Sequence, residues 1–172
     1  MALVPEDRKT QGLFLEQSIR ANVTLPSLET LTRLGVIQRK AETDAVLRAQ
    51  RELSIAMASP ELEAQYLSGG NQQKVVLAKW LQTSPSAIVF DEPTRGVDVG
   101  AKFEIYQLMR QLAERGVAIL MISSDLVEIL GMSDRILVMH EHEIVAELTR
   151  EEATEEQIIE LATTGQAEAR LA

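Results

Sequence analysis

Residues 67–92 constrain the fold of this chain more than any other stretch. They begin as Leu-Ser-Gly-Gly-Asn-Gln-Gln-Lys, continue as an apolar run over residues 75–81, and end as Ala-Ile-Val-Phe-Asp-Glu. The apolar run is typical of a helix, and the four apolar residues before Asp91 predict a short strand buried on both faces. These elements indicate an α/β fold.

The serine and glycines at the start of the predicted helix are suited to binding an anion. A helix N-terminus carries partial positive charge and unpaired N–H groups. Gly69 and Gly70 allow a ligand to approach the backbone closely. Ser68 can turn its hydroxyl to a phosphate oxygen, or it can simply cap the helix. Both interpretations stay open for this segment taken alone.

Two carboxylates follow the predicted strand, at the end where open α/β sheets bind ligands. Asp91 is the candidate ligand of Mg²⁺, directly or through water, and Glu92 is the candidate base that polarises an attacking water. An Asp-Glu pair alone is a weak signal. The order Ser-Gly-Gly-x-Gln-Gln, helix, strand, Asp-Glu-Pro-Thr is a strong one.

Together these segments resemble the signature and Walker B motifs of ABC-type ATPases. With the continuation Arg-Gly-Val-Asp-Val-Gly, they are similar to the second nucleotide-binding half of the duplicated ATPases in bacterial ribose, galactose and xylose importers. The resemblance extends over residues 4–165. It implies part of a P-loop NTPase domain, with parallel core strands, a helical subdomain and a C-terminal β-hairpin plus helix.

The resemblance also implies which residues bind ATP and Mg²⁺. Ser68, Gly69, Gly70 and Gln72 would close over ATP held by a second ATP-binding domain that carries a Walker A loop. Asp98 would lie in the D-loop, which touches the opposite ATP site. The family further implies transmembrane permease subunits as partners, and a cytoplasmic location on the inner face of the membrane.

Two residues depart from the family pattern. Glu6 stands at the Q-loop glutamine position, and Ser124 stands at the switch histidine position. A carboxylate repels phosphate unless a metal intervenes, and a hydroxyl lacks the reach and charge of an imidazole. We therefore expect the site that includes Glu92 to be weakened. The alternatives are a solvated acidic turn at residues 6–9 and a helix cap at Asp125.

The sequence contains no Gly-x-x-x-x-Gly-Lys-Ser/Thr motif, the Walker A loop that holds the β- and γ-phosphates. In the family this loop lies upstream of position 1, so the chain resembles the C-terminal part of one half, with the phosphate-loop strand absent. We expect such a chain to bind Mg-ATP weakly or not at all by itself. Its sheet is expected to expose an edge and apolar faces.

Four segments are predicted along the chain. Residues 1–17 contain a strand end and a Q-loop-like segment, and residues 18–66 form a helical subdomain interrupted only at its prolines and glycine. Residues 67–165 form the signature, Walker B and C-terminal α/β part, and residues 166–172 a frayed tail.

Beyond the D-loop, the pattern predicts a helix over residues 101–115 and a buried strand over residues 117–122, parallel to the first. A hairpin and a last helix follow, the helix with Ile158, Ile159 and Ala162 on one face. His140 and His142 lie at the hairpin turn. They could both face a metal, but no third ligand is obvious, and a histidine with positive φ in the turn is the simpler interpretation.

Composition excludes several classes of protein. The 17 basic and 26 acidic residues give a net charge of −9, which argues against a nucleic-acid partner or an anionic-membrane surface. There is no cysteine, and the longest apolar run is far shorter than the roughly 18 residues of a membrane span.

Three functional hypotheses remain. The first is an ATP-binding and ATP-hydrolysing component of a carbohydrate importer, which contributes its signature motif to a composite ATP site. The second is a non-catalytic remnant or partner module unable to bind ATP alone. The third, a DNA-repair or chromosome ATPase, is disfavoured by the Pro-Thr continuation and the absence of coiled-coil heptads.

Overall fold

A computed structural model describes residues 1–166, which divide into two compact units, residues 1–122 and the residues from Ser123 onwards. The helices and strands of the first unit are, in chain order, β1 (Ala2–Val4), a π-helical turn (Arg8–Gly12), α1 (Ile19–Thr24), a 3-10 helix (Leu25–Leu31), β2 (Thr32–Arg33), β3 (Val36–Ile37), α2 (Arg39–Glu52), a 3-10 turn (Ala64–Tyr66), α3 (Gly69–Leu81), β4 (Ala87–Asp91), α4 (Val99–Glu114) and β5 (Ala118–Ile122).

Three parallel strands form the centre of the first unit, in the order β1-β4-β5. β4 lies in the middle, so that Val4 on β1 and Met121 on β5 align with Phe90 on either side. Val4 and Phe90 are completely buried on the face that α3 helps to cover. The predicted α/β fold with parallel core strands is confirmed.

The opposite face of this sheet is open. Leu3, Leu120 and Ile122 share that face and keep 48%, 52% and 49% of their surface exposed, and the outward residues of β4 are only half buried. The predicted burial of the strand before Asp91 on both faces is therefore wrong for its outward residues, and the prediction of a buried strand over residues 117–122 is wrong on this face, because no element of residues 1–122 covers it. The expected exposure of an apolar face agrees with this arrangement.

The segment predicted as helical between residues 18 and 66 contains one long helix, α2. β2 and β3 instead form a small antiparallel hairpin, in which Leu34 and Gly35 have φ values of 53° and 78°. Two consecutive positive φ values are typical of the tight turn that joins paired strands. The sequence pattern missed this hairpin because two-residue strands are too short to show a period of two.

A buried carboxylate connects α1 to α2. Glu42 accepts hydrogen bonds from Arg20 at 2.6 Å and from the Thr24 hydroxyl at 2.9 Å. Arg20 also donates to both carboxylate oxygens of Glu61, at 2.7 and 2.9 Å. A buried charge is tolerated where it is paired and hydrogen-bonded, so this network fixes the first helices of the segment relative to each other.

The hydrogen bonds from Arg20 lower the pKa of Glu61 from its usual 4.5. Because the folded-state pKa is below the unfolded one, this contact stabilises the fold above the unfolded pKa, and the contribution is lost as the pH falls through the folded pKa. We expect an NMR titration to show this low pKa, and an upward shift in Arg20→Gln. An unshifted Glu61 titration in Arg20→Gln would contradict the role of Arg20.

The described part of the second unit, residues 123–166, contains four elements. They are α5 (Leu126–Met132), β6 (Arg135–His140), β7 (Glu143–Thr149) and α6 (Glu155–Thr164). β6 and β7 are antiparallel, and α6 packs its buried Ile158 and Leu161 against the pair. The predicted hairpin plus helix is confirmed. The predicted apolar face of α6 is confirmed at Ile158 but wrong at Ile159, which is 49% exposed, and at Ala162, which is also exposed; Leu161 is buried instead.

The hairpin turn contains Glu141 and His142, with φ values of 46° and 71°, so the turn interpretation of His142 is confirmed. The ring Nδ1 of His140 lies 2.9 Å from the carbonyl oxygen of Ala162. Within residues 1–166, no group of three metal-binding side chains comes together. The predicted frayed tail lies, apart from Gln166, outside the described residues.

Candidate functional site

The start of α3 forms the centre of the candidate site. Ser68 is the N-cap, and its Oγ accepts a hydrogen bond from the backbone N–H of Asn71 at 3.4 Å. The predicted cap is therefore present. Gly69 and Gly70 are the first two residues of the helix, where backbone N–H groups have no partner within a helix and remain available for a ligand.

Both signature glycines lie where a larger residue would meet a neighbour. A Cβ on Gly69 would lie 2.7 Å from Nη2 of Arg8, and a Cβ on Gly70 would lie 3.2 Å from Cβ of Ala101 at the start of α4. Groups of the protein itself therefore approach these two backbone positions closely: the Arg8 guanidinium at Gly69 and Ala101 of α4 at Gly70.

Gln72 is directed into the protein rather than towards solvent. The residue is 4% exposed, and its Nε2 donates to the carbonyl oxygen of Ala64 at 3.2 Å. Its Oε1 is buried and makes no hydrogen bond within the described residues. This contact ties the first turn of α3 to the preceding 3-10 turn.

The candidate metal ligand and base lie at the carboxyl end of the central strand. Asp91 is the last residue of β4 and is half buried. Glu92 follows with a positive φ of 45°, and its backbone N–H donates to the carbonyl oxygen of Ile122 at 2.9 Å. A non-glycine residue in this region of φ is uncommon, and such strain is concentrated at functional sites.

The Q-loop-like segment contacts the residues that follow Walker B. Glu6 forms an ion pair with Arg95, and Nη1 of Arg8 donates to the backbone oxygen of Arg95 at 3.5 Å. Asp7 caps the π-helical turn through the backbone N–H of Lys9 at 2.9 Å. Glu6 is therefore paired. Arg8 is a residue of the candidate site that the sequence analysis did not identify. In the sequence it stands out only as the first of two basic residues, Arg8 and Lys9, that follow Glu6 and Asp7.

The D-loop residue Asp98 has a structural partner. It is the N-cap of α4, and its Oδ1 accepts from the backbone N–H of Ala101 at 3.0 Å. The preceding Gly96 has a φ of 66°, which favours glycine, and its carbonyl oxygen is 3.9 Å from the position of a Cβ on Gly69. The D-loop and the signature glycines are therefore neighbours.

Ser124 belongs to the second unit, in the loop before α5. Asp125 caps that helix, with its Oδ1 accepting from the backbone N–H groups of Val127 and Glu128 at 3.1 and 3.3 Å. The predicted cap is confirmed. In a capping box the Glu128 side chain would accept directly from the Asp125 backbone N–H. Here Ser123 lies between them: its Oγ accepts from the Asp125 N–H and its hydroxyl donates to the Glu128 carboxylate.

The sequence matches the family model described as ABC transporter over residues 1–95 of its 172 residues. The chain belongs to the ABC transporter family. The resemblance of its signature and Walker B segments to ABC-type ATPases is thereby confirmed.

Relatives of this chain are similar to it over nearly its whole length, well beyond the signature and Walker B motifs. The chain is 54% identical over 165 residues to the ribose import ATP-binding protein RbsA of Bacillus subtilis, a match that covers 96% of this chain and 34% of that protein. It is 56% identical to the protein of the same name in Oceanobacillus iheyensis, covering 96% of this chain and 33% of that protein. The chain thus spans about a third of the length of these relatives.

Solved ABC structures have the same fold. A dimeric ATP-binding cassette in a post-hydrolysis state, bound to ADP and Pi, superposes with a TM-score of 0.72 and 24% sequence identity, covering 86% of this chain and 62% of that one. At this identity the likeness concerns the fold. Separately, none of the helices within residues 1–166 has the length and apolar character needed to cross a membrane.

Proposed function

We propose that this chain is part of the ATP-binding component of an ABC-type carbohydrate importer, to which it contributes the signature motif of a composite ATP site. The observation that carries the proposal is the capped, glycine-lined start of α3 beside the D-loop. The relatives named ribose import ATP-binding protein support a pentose or similar sugar as the cargo of the assembly.

The residues present fit ATP and Mg²⁺. The Ser68 hydroxyl and the first-turn N–H groups of Gly69 and Gly70 are donors for phosphate oxygens, and the carboxylate of Asp91 is the hard oxygen ligand that Mg²⁺ prefers. ATP, when bound, supplies the phosphoryl group whose transfer to water drives transport. Glu92 would orient that water from the end of β4.

The other candidate residues have secondary roles in this proposal. Glu6 and Ser124 stand at the glutamine and histidine positions of the family pattern, and Glu6 would weaken the site that contains Glu92. Asp98 would support the opposite site through the D-loop that it terminates, and Gln72 would hold the first turn of α3 in place through Ala64.

A composite site requires partners. We propose a second ATP-binding domain with a Walker A loop, and permease subunits that would bring this component to the cytoplasmic face of a membrane. Nucleic acid is not a proposed partner, given the net charge of −9.

The alternative is a non-catalytic module that cannot bind ATP alone. It is favoured by the absence of a Walker A motif from the sequence and by the open apolar face of the sheet. Calorimetric titration of the purified chain with Mg-ATP tests the expectation that the two share: no saturable heat supports the need for a second ATP-binding domain, and saturable binding at micromolar concentrations contradicts it. ATP hydrolysis by the assembly with its partners separates them, because only the first proposal expects turnover.

Replacing Glu92 by glutamine tests the proposed weakness of its site. We expect hydrolysis of Mg-ATP by the full-length protein with its permease to fall only about 2- to 10-fold, below the 10²- to 10⁴-fold contribution of a fully effective general base. The measurement is turnover of inorganic phosphate at saturating ATP. A loss beyond 100-fold would instead make Glu92 the principal catalytic base, and an inactive wild-type assembly would support the non-catalytic alternative.

A further inference from the structure

The side chain of Asn71 is held in a single orientation at the start of α3. Its Oδ1 accepts a hydrogen bond from the backbone N–H of Ala56 at 2.8 Å, and its Nδ2 donates to Ser68 Oγ at 3.0 Å. The reversed amide would place its NH₂ group against the Ala56 N–H, donor against donor. The Ala56 contact therefore decides that a donor faces Ser68.

The hydroxyl oxygen of Ser68 consequently accepts twice from one residue. The backbone N–H of Asn71 donates to it at 3.4 Å and the side-chain Nδ2 at 3.0 Å. A serine hydroxyl has two acceptor lone pairs and one donor hydrogen. With both lone pairs used, the hydrogen is what Ser68 has left to offer, and Ser68 is exposed to solvent.

We infer that Asn71 is a positioning residue, which makes the Ser68 hydroxyl a hydrogen-bond donor towards an anion at the start of α3. The anion class is a nucleotide phosphate, whose oxygens are acceptors only. This inference rests on the proposed function of the signature motif and adds a residue whose side chain acts through Ser68. It also connects that hydroxyl to the loop after α2, through Ala56.

Two variants of Asn71 in the full-length protein test the inference by hydrolysis of Mg-ATP. Asn71→Ala removes the donor, and we expect kcat/KM to fall about 3- to 10-fold, as for a neutral hydrogen bond. Asn71→Asp keeps an acceptor for the Ala56 N–H. It also places a carboxylate oxygen beside Ser68, which accepts the hydrogen of the Ser68 hydroxyl, so that this hydrogen is no longer available to the anion. We expect a larger fall, about 10- to 100-fold, as for a hydrogen bond to a charged group.

A double-mutant cycle with Ser68→Ala separates positioning from a general structural role. Asn71→Ala should cost less than about 1.5-fold in the Ser68→Ala protein, because the residue through which it acts is gone. Equal costs in both backgrounds would overturn the inference. So would an Asn71→Asp protein that is as active as Asn71→Ala.

Controls keep the inference and the proposed function distinguishable. Gln107→Glu makes the same amide-to-carboxylate change on an exposed position of α4 and should alter kcat/KM less than about twofold. Thermal unfolding of each variant reports folding independently of activity. If Ser68→Ala itself leaves kcat/KM unchanged, the proposed role of the signature fails; if only the coupling is absent, the role of Asn71 fails.

Discussion

Replacing Ser68 by aspartate is expected to reduce ATP hydrolysis by the full-length protein at least about 100-fold while leaving it folded. Aspartate caps helices as well as serine does, so the bond from the Asn71 N–H is retained. Its carboxylate, however, would occupy the position proposed for phosphate. Two like charges about 4 Å apart repel by about 4 kcal/mol near a protein surface, and each 1.36 kcal/mol is a factor of about ten in rate.

The chain offers a matched control for this change. Thr154 caps α6, with its hydroxyl accepting from the Gln157 N–H at 3.2 Å. Thr154→Asp therefore introduces the same carboxylate at another helix start, and we expect hydrolysis within about twofold of wild type. Phosphate release at saturating ATP and thermal unfolding should be measured for both variants. A folded Ser68→Asp protein with near-normal turnover would show that the signature motif does not contact ATP.

The family and the central architecture were predictable because their signals are local. A serine before two glycines marks a helix start, and four apolar residues ending in Asp91 mark a core strand, so neither depends on distant contacts. The positive φ values of Gly116 and Gly165 likewise follow from glycine at the two helix ends. These are the places where the structure and the sequence pattern agree.

What the sequence missed depends on contacts between distant residues. Arg8 lies beside Gly69 although the two are 61 positions apart in the sequence (69 − 8), and the Asn71 side chain accepts a hydrogen bond from Ala56 in the loop after α2. The two-strand hairpin around Gly35 carries no periodic signal, and the exposure of Leu120 depends on what covers the sheet. A window of sequence cannot report which segments meet, so such residues appear only in the structure.

Phe90 is the residue whose loss should destabilise the fold most. It lies on β4, the central strand, between Val4 and Met121 on the neighbouring strands, and is completely buried. Truncating a buried phenylalanine to alanine costs about 3–5 kcal/mol, through lost apolar burial and the cavity left behind. Since domains are stable by only about 5–15 kcal/mol, we expect Phe90→Ala to lower the urea midpoint sharply or to prevent folding.

Phe103 provides the matched control, because the same substitution there removes an exposed ring. It lies on α4 and keeps 62% of its surface accessible, so Phe103→Ala should change the free energy of unfolding by less than about 1 kcal/mol. Equilibrium urea unfolding followed by circular dichroism measures both variants. Comparable losses for the two would mean that Phe90 does not lie in a core formed by β1, β4 and α3, whereas a large loss for Phe90 alone would show that this sheet carries the stability of the first unit.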